Sequence, residues 1–138
     1  MLHVSEIMTR KIVTVALDDD LAAVRSLFDQ HGFHHVMVME EGRLAGVISD
    51  RDLLRHLSPF IGRMSERSQD LHTLQVRVHQ VMTRKLTTVT ANTTIEEAAK
   101  IMLADNVSCL PVVSSDGQPV GIVTWRDLLQ VLQTLHIT

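Results

Sequence analysis

The chain repeats itself, and that repeat restricts its possible folds more than any other feature. The segment Val4-Ser5-Glu6-Ile7-Met8-Thr9-Arg10-Lys11-Ile12-Val13-Thr14-Val15 returns 74 positions later as Val78-His79-Gln80-Val81-Met82-Thr83-Arg84-Lys85-Leu86-Thr87-Thr88-Val89, with Met-Thr-Arg-Lys identical in both. Farther on, Gly46-Val47-Ile48-Ser49-Asp50-Arg51-Asp52-Leu53-Leu54 matches Gly121-Ile122-Val123-Thr124-Trp125-Arg126-Asp127-Leu128-Leu129 at an offset of 75. The one-residue slip falls between Glu40-Glu41-Gly42 and Ser114-Ser115-Asp116-Gly117, polar turns of the kind that absorb length changes. Internal similarity at this scale means that one supersecondary unit has been used twice.

Each copy has the same local pattern. An extended segment, Val13-Thr14-Val15 or Thr87-Thr88-Val89, leads into helix-capping clusters, Asp18-Asp19-Asp20 and Asn92-Thr93-Thr94; Thr93 and Glu96 have capping-box spacing. Apolar residues then recur at helical period: Leu21, Val24, Leu27 and Phe28 in one copy, Ile95, Ala98, Ile101 and Met102 in the other. His31-Gly32 and Asp105-Asn106 stop these helices, because Gly and Asn tolerate the left-handed conformation. Two β-rich runs joined by a glycine-containing turn follow, Val36 to Met39 with Leu44 to Ser49, and Leu110 to Val113 with Val120 to Thr124. A second helix closes each copy, from about Asp50 to Leu57 and from Trp125 to about Leu135.

The reading is an α/β (α+β) fold of two βαββα-type repeats, 1–60 and 77–138, joined by a linker over 61–76 whose helical content stays open. Neither copy alone has enough chain to cover two helices and a sheet. Packing sheet to sheet about a pseudo-twofold axis would bury both apolar faces and leave two equivalent grooves between the copies.

Composition narrows the function. Apolar residues make up 45% of the chain, with no Tyr and one Trp, and the net charge is −3. Such a chain lacks the aromatic platform of a single-strand binder and the basic field of a duplex binder, which argues against nucleic acid. The lone Cys109 cannot form an internal disulfide, and the first residues lack the pattern of a signal peptide. No apolar run approaches the roughly 18 residues of a membrane span, so a cytoplasmic location without membrane attachment is expected.

The strand-to-helix junctions carry the most chemistry. Ser49-Asp50-Arg51-Asp52 and Thr124-Trp125-Arg126-Asp127 each place a hydroxyl, an arginine and a carboxylate where a strand enters a helix. A carboxylate there can accept both hydroxyls of a ribose, and an arginine can meet a phosphate through its planar fork. The same spacing is also that of a plain capping box, which needs no ligand. The two readings agree on the hydroxyl and diverge on the carboxylate.

These motifs also carry a resemblance. A lead-in Met-Thr, followed by Thr-Val, and a hairpin strand ending in Gly, two apolar residues, Ser or Thr, two residues and Asp, recur in both copies. The chain thereby resembles a tandem pair of cystathionine β-synthase (CBS) domains, the Bateman module, over all but the linker. The resemblance implies an intertwined α/β pair with two interfacial clefts that often bind adenosine-containing ligands: AMP, ADP, ATP, S-adenosylmethionine, NAD or cyclic dinucleotides. Carried over residue by residue, one cleft would use Ser49, Arg51 and Asp52 with His35 nearby, and a base pocket of Met82, Thr87, Val107 and Ser108. The other would use Thr124, Arg126 and Asp127 against Met8, Val13, Phe33 and His34. The copies differ where Leu110-Pro111-Val112 faces Val36-Met37-Val38 and where His34-His35 becomes Ser108-Cys109, so unequal clefts are expected. An imidazole beside a phosphate charges in mild acid, so binding at the His34-His35 cleft is expected to tighten there.

Other constellations lead nowhere. His34 and His35 would point to opposite faces of a strand, and no zinc-ligand spacing accompanies them, so no metal site is assigned. No nucleophile motif or phosphate-cradling loop is present, and no catalytic residue is assigned. The expectation is a non-enzymatic ligand sensor that acts as a homodimer or on a partner enzyme or transporter in trans. The alternative is a structural dimerisation module that binds no nucleotide.

Overall fold

The computed structural model describes residues 2–32, 34–57, 61, 63–64 and 66–134. It is a mixed α/β structure in chain order α1 (Val4–Ile7), β1 (Thr14–Ala16), α2 (Leu21–His31), β2 (His35–Glu40), β3 (Arg43–Ser49), α3 (Asp50–His56), α4 (Ser68–His72), α5 (Ile95–Asp105), β4 (Cys109–Val113), β5 (Pro119–Thr124) and α6 (Trp125–Thr134). Two short 3-10 turns, Thr73–Gln75 and Val78–Gln80, complete it.

The long helices start and stop where local chemistry requires. Asp20 caps α2 by accepting the Ala23 N–H at 3.0 Å, and Gly32 ends it at φ 66°. Thr94 caps α5 by accepting the Glu97 N–H at 3.1 Å, and Asn106 ends it at φ 53°. The expected cap Thr93 stands one residue too early; its hydroxyl takes the Thr90 N–H at 3.2 Å instead. The linker is partly helical through α4. The expected extension of α6 to Leu135 lies outside the described residues.

Two compact units result, and their boundaries are not those of the repeats: Val13–Lys85 forms one, and Met1–Ile12 with Leu86–Thr138 forms the other. In the first unit β1 pairs parallel with β2, and β2 pairs antiparallel with β3. The lead-in of the second repeat closes this unit: Val47 and Thr83 exchange both backbone hydrogen bonds, at 3.1 and 2.9 Å. The other unit is built alike from the β4–β5 hairpin, and the first repeat's lead-in closes it through Thr9 and Ile122, at 2.9 Å both ways. Its counterpart of β1 is reduced to one bridge, Val89 to Val112.

The cores follow the repeat, with the lead-ins exchanged. Val15, Val24, Phe28, Val36, Val38 and Ile48 pack with Val78 and Met82 in one unit. Val89, Ala98, Met102, Leu110, Val112 and Val123 pack with Val4 and Met8 in the other. Among the described residues no polar side chain is fully buried, so apolar burial holds each unit together.

Candidate functional site

In both units the second hairpin strand runs directly into a helix, and a hydroxyl residue marks the change. Ser49 ends β3 opposite His35 of β2; Thr124 ends β5 opposite Cys109 of β4. Ser49 Oγ accepts the Asp52 N–H at 3.1 Å, while Asp52 Oδ2 accepts the Ser49 N–H at 2.9 Å. Thr124 Oγ1 accepts the Asp127 N–H at 3.4 Å, and Asp127 Oδ2 accepts the Thr124 N–H at 2.8 Å and its hydroxyl at 3.2 Å.

Both carboxylates are therefore capping groups, each held through one oxygen. The other oxygen, Oδ1, takes no hydrogen bond from any described residue, and both side chains are only half-buried. The capping role and an acceptor role toward a ligand thus use different atoms of one group. Arg51 and Arg126 are exposed, and neither guanidinium has a partner among the described residues.

The hairpin geometry sorts the remaining candidates. A residue just before β2 lies beside one just after β3, so the His34 carbonyl accepts the Asp50 N–H at 2.9 Å and His34 Nδ1 lies 2.9 Å from Asp50 Oδ2. Ser108 stands equivalently at the second junction, where its carbonyl accepts the Trp125 N–H at 3.1 Å. Met8 and Met82 are core residues whose sulfurs lie over Gly121 and Gly46. The Val13 carbonyl accepts the Met37 N–H at 2.9 Å, and Thr87 Oγ1 donates to Asp105 Oδ2 at 2.6 Å. Val107 is exposed past α5, and its N–H donates to the Met102 carbonyl at 3.1 Å. Phe33 lies outside the described residues. The structure thus gathers Ser49, Arg51, Asp52, His34 and His35 in one unit, and Thr124, Arg126, Asp127 and Ser108 in the other.

Two residues at the junctions were not singled out from sequence, Asp50 and Trp125. Superposing the repeats would have found them, because they are equivalent positions and differ in both charge and size. Among the described residues no group of three or more His, Cys, Asp or Glu is placed to hold a metal.

Burial lowers the His35 imidazole below its ordinary value; Asp50 and Asp52 pull the other way and His34 adds to the lowering. The His35 imidazole is therefore biased toward neutrality in the folded chain. The unfolded chain then binds a proton at a pH where the folded chain does not. The stabilising contribution is fully present above about 6.5, the ordinary histidine value, and is lost as pH falls from there through the lowered folded value. Urea unfolding of wild type and His35→Gln across this range is expected to show wild type losing stability relative to the variant on acidification. Parallel curves would contradict it.

The CBS domain family model matches residues 4–59 and 78–134. A CBS domain-containing protein of Dictyostelium discoideum is 33% identical over 131 residues, covering 94% of this chain and 90% of that protein. The CBS domain pair of protein MJ0100, solved with 5'-methylthioadenosine and S-adenosyl-L-methionine, has a TM-score of 0.80 at 22% identity, covering 96% of this chain and 97% of its own. The cytosolic domain of the Mg2+ channel MgtE, solved with ATP, has a TM-score of 0.71 at 29% identity, covering 94% of this chain and 48% of that one. Among the described residues no helix is long and apolar enough to cross a membrane.

Proposed function

Because the chain belongs to the CBS domain family, with two copies in tandem, we propose that it is a regulatory module that binds adenosine-containing ligands at its two strand-to-helix junctions. One observation carries the reading. At each junction a carboxylate is fixed through Oδ2, while Oδ1 is left without a protein donor among the described residues. An oriented acceptor of this kind suits the hydroxyls of a ribose, and Arg51 and Arg126, without a partner among the described residues, suit a phosphate. The ligands of the MJ0100 pair and of the MgtE domain, which all contain adenosine, support the same class.

In this reading Ser49, Arg51 and Asp52, and Thr124, Arg126 and Asp127, take the ribose and phosphate. His34 and His35 border the first set, and Ser108 borders the second. The protein works in the cytoplasm as a binding module rather than a catalyst, and it passes the bound state to a partner enzyme or transporter or through self-association. A thermal-shift screen with AMP, ADP, ATP, S-adenosylmethionine, NAD and cyclic dinucleotides tests the class. At least one is expected to raise the melting temperature; a response to none would contradict the reading.

The capping geometry needs no ligand, which favours a second reading, a module for self-association alone. Both readings share a homodimer formed through α6. Trp125, Leu129 and Leu132 lie at i, i+4 and i+7 of this helix and are 52%, 51% and 59% exposed, while Leu128 packs on the unit's core. Light scattering of the double variant Leu129→Glu, Leu132→Glu is expected to give a monomer where wild type gives a dimer. An unchanged mass would contradict the assignment.

A further inference from the structure

The strand that opens each repeat is held differently in the two units. In the Val13–Lys85 unit Thr14, Val15 and Ala16 form a ladder against Met37, Val38 and Met39. The Val13 carbonyl also accepts the Met37 N–H at 2.9 Å, and the Val13 side chain packs on the core. In the other unit the ladder shrinks to Val89 against Val112. The Val89 N–H donates to the Pro111 carbonyl at 3.0 Å, and the Val89 carbonyl accepts the Val113 N–H at 2.9 Å. What is missing is the bond that Val13 makes, because Pro111 stands where Met37 does and has no N–H to give. The Thr87 carbonyl, counterpart of the Val13 carbonyl, accepts no hydrogen bond from any described residue.

A side-chain contact takes the place of that bond. Thr87 Oγ1 donates to Asp105 Oδ2 at 2.6 Å. Asp105 is the last residue of α5, where the helix dipole disfavours a carboxylate and a hydroxyl donor offsets the cost. The first unit has no equivalent contact, since Val13 lacks a hydroxyl and His31 stands at the end of α2. The chain leaves the Val13–Lys85 unit at Leu86, so the weakly held segment is also one of its two crossings from unit to unit. At the other crossing, from Ile12 to Val13, the Val13 carbonyl is bonded immediately.

We infer that residues 86–88 form a strap that opens and closes at this crossing, latched by Thr87 on Asp105, with Pro111 as the residue that keeps the ladder from fixing it. The strap opens by breaking the latch and the Val89 N–H bond, and it hinges on the Val89 side chain, which stays buried in the core. The crossing at Val13 stays pinned. One hydrogen bond gained or lost shifts such a local equilibrium by about tenfold. The inference is independent of what binds at the junctions.

Amide hydrogen exchange of the whole chain, read residue by residue by NMR, tests the strap. The Val89 amide reports on it, and the Met37 amide reports on its pinned counterpart. In wild type, Val89 is expected to be about tenfold less protected than Met37. Thr87→Val and Asp105→Ala are each expected to lower Val89 protection about tenfold further and leave Met37 unchanged, and combining them is expected to add nothing. Pro111→Ala restores the missing donor; it is expected to raise Val89 protection about tenfold and to create a protected amide at position 111. Equal protection of Val89 and Met37 in wild type would overturn the inference. So would a Thr87→Val protein in which Val89 is unchanged or in which both amides lose protection together, since the second result reports stability of the whole chain. A Pro111→Ala protein that folds but protects Val89 no better would overturn the part given to Pro111.

Discussion

Gly46→Ala and Gly121→Ala are each expected to destabilise the protein by about 1–3 kcal/mol. A Cβ on Gly46 would lie 2.7 Å from Met82 Sδ and 2.8 Å from the Thr83 carbonyl oxygen; on Gly121 it would lie 2.8 Å from Met8 Sδ and 2.9 Å from the Thr9 carbonyl oxygen. A methionine side chain can swing away. The carbonyls cannot, because Thr83 and Thr9 are locked by reciprocal backbone hydrogen bonds to Val47 and Ile122. The added methyl must push the lead-in segment off the hairpin, and that segment carries Met82 with Val78, or Met8 with Val4, into the core. Urea unfolding checks the cost. A loss below about 0.5 kcal/mol in both variants, the range of an ordinary surface change, would mean that the lead-ins are not clamped as described.

Those glycines also mark where sequence reasoning stopped. The duplication, both hairpins, the caps Asp20 and Thr94 within their polar clusters, and the terminators Gly32 and Asn106 all follow local rules of capping and periodicity. The exchange of lead-ins does not. Val4 and Val78 are apolar in either copy, and nothing local says which hairpin each one covers. The same holds for α1, whose four residues are too few for a periodic signal. The glycines in Gly46-Val47-Ile48 and Gly121-Ile122-Val123 were visible as motif positions, but their reason is a tertiary contact with Thr83 and Thr9.

At the candidate site the legible part was the hydroxyl and carboxylate pair, since its spacing is also that of a capping box. Spacing alone left capping and ligand binding as rivals. The structure separates them by atom, with Oδ2 engaged in the cap and Oδ1 left without a protein donor among the described residues. The placement of His34 beside Asp50 depends on hairpin register that motif matching does not resolve.

The second large effect is functional. The double variant Asp52→Asn, Asp127→Asn is expected to lose its ligand response while staying folded. The amide oxygen of Asn still accepts the Ser49 or Thr124 N–H, but its nitrogen carries donors where Oδ1 carried an acceptor, so the ribose hydroxyls lose the charged acceptor for their own protons. Without ligand, the cost of removing a charge from each helix start is about 0.3–1 kcal/mol. With ligand at one hundred times Kd, wild type gains about 2.7 kcal/mol that the variant does not. Isothermal titration of both proteins with AMP, ATP and S-adenosylmethionine decides whether the two junction carboxylates hold the ligand. Wild type is expected to bind at least one of them and the double variant none. Binding of equal affinity by the double variant would contradict it.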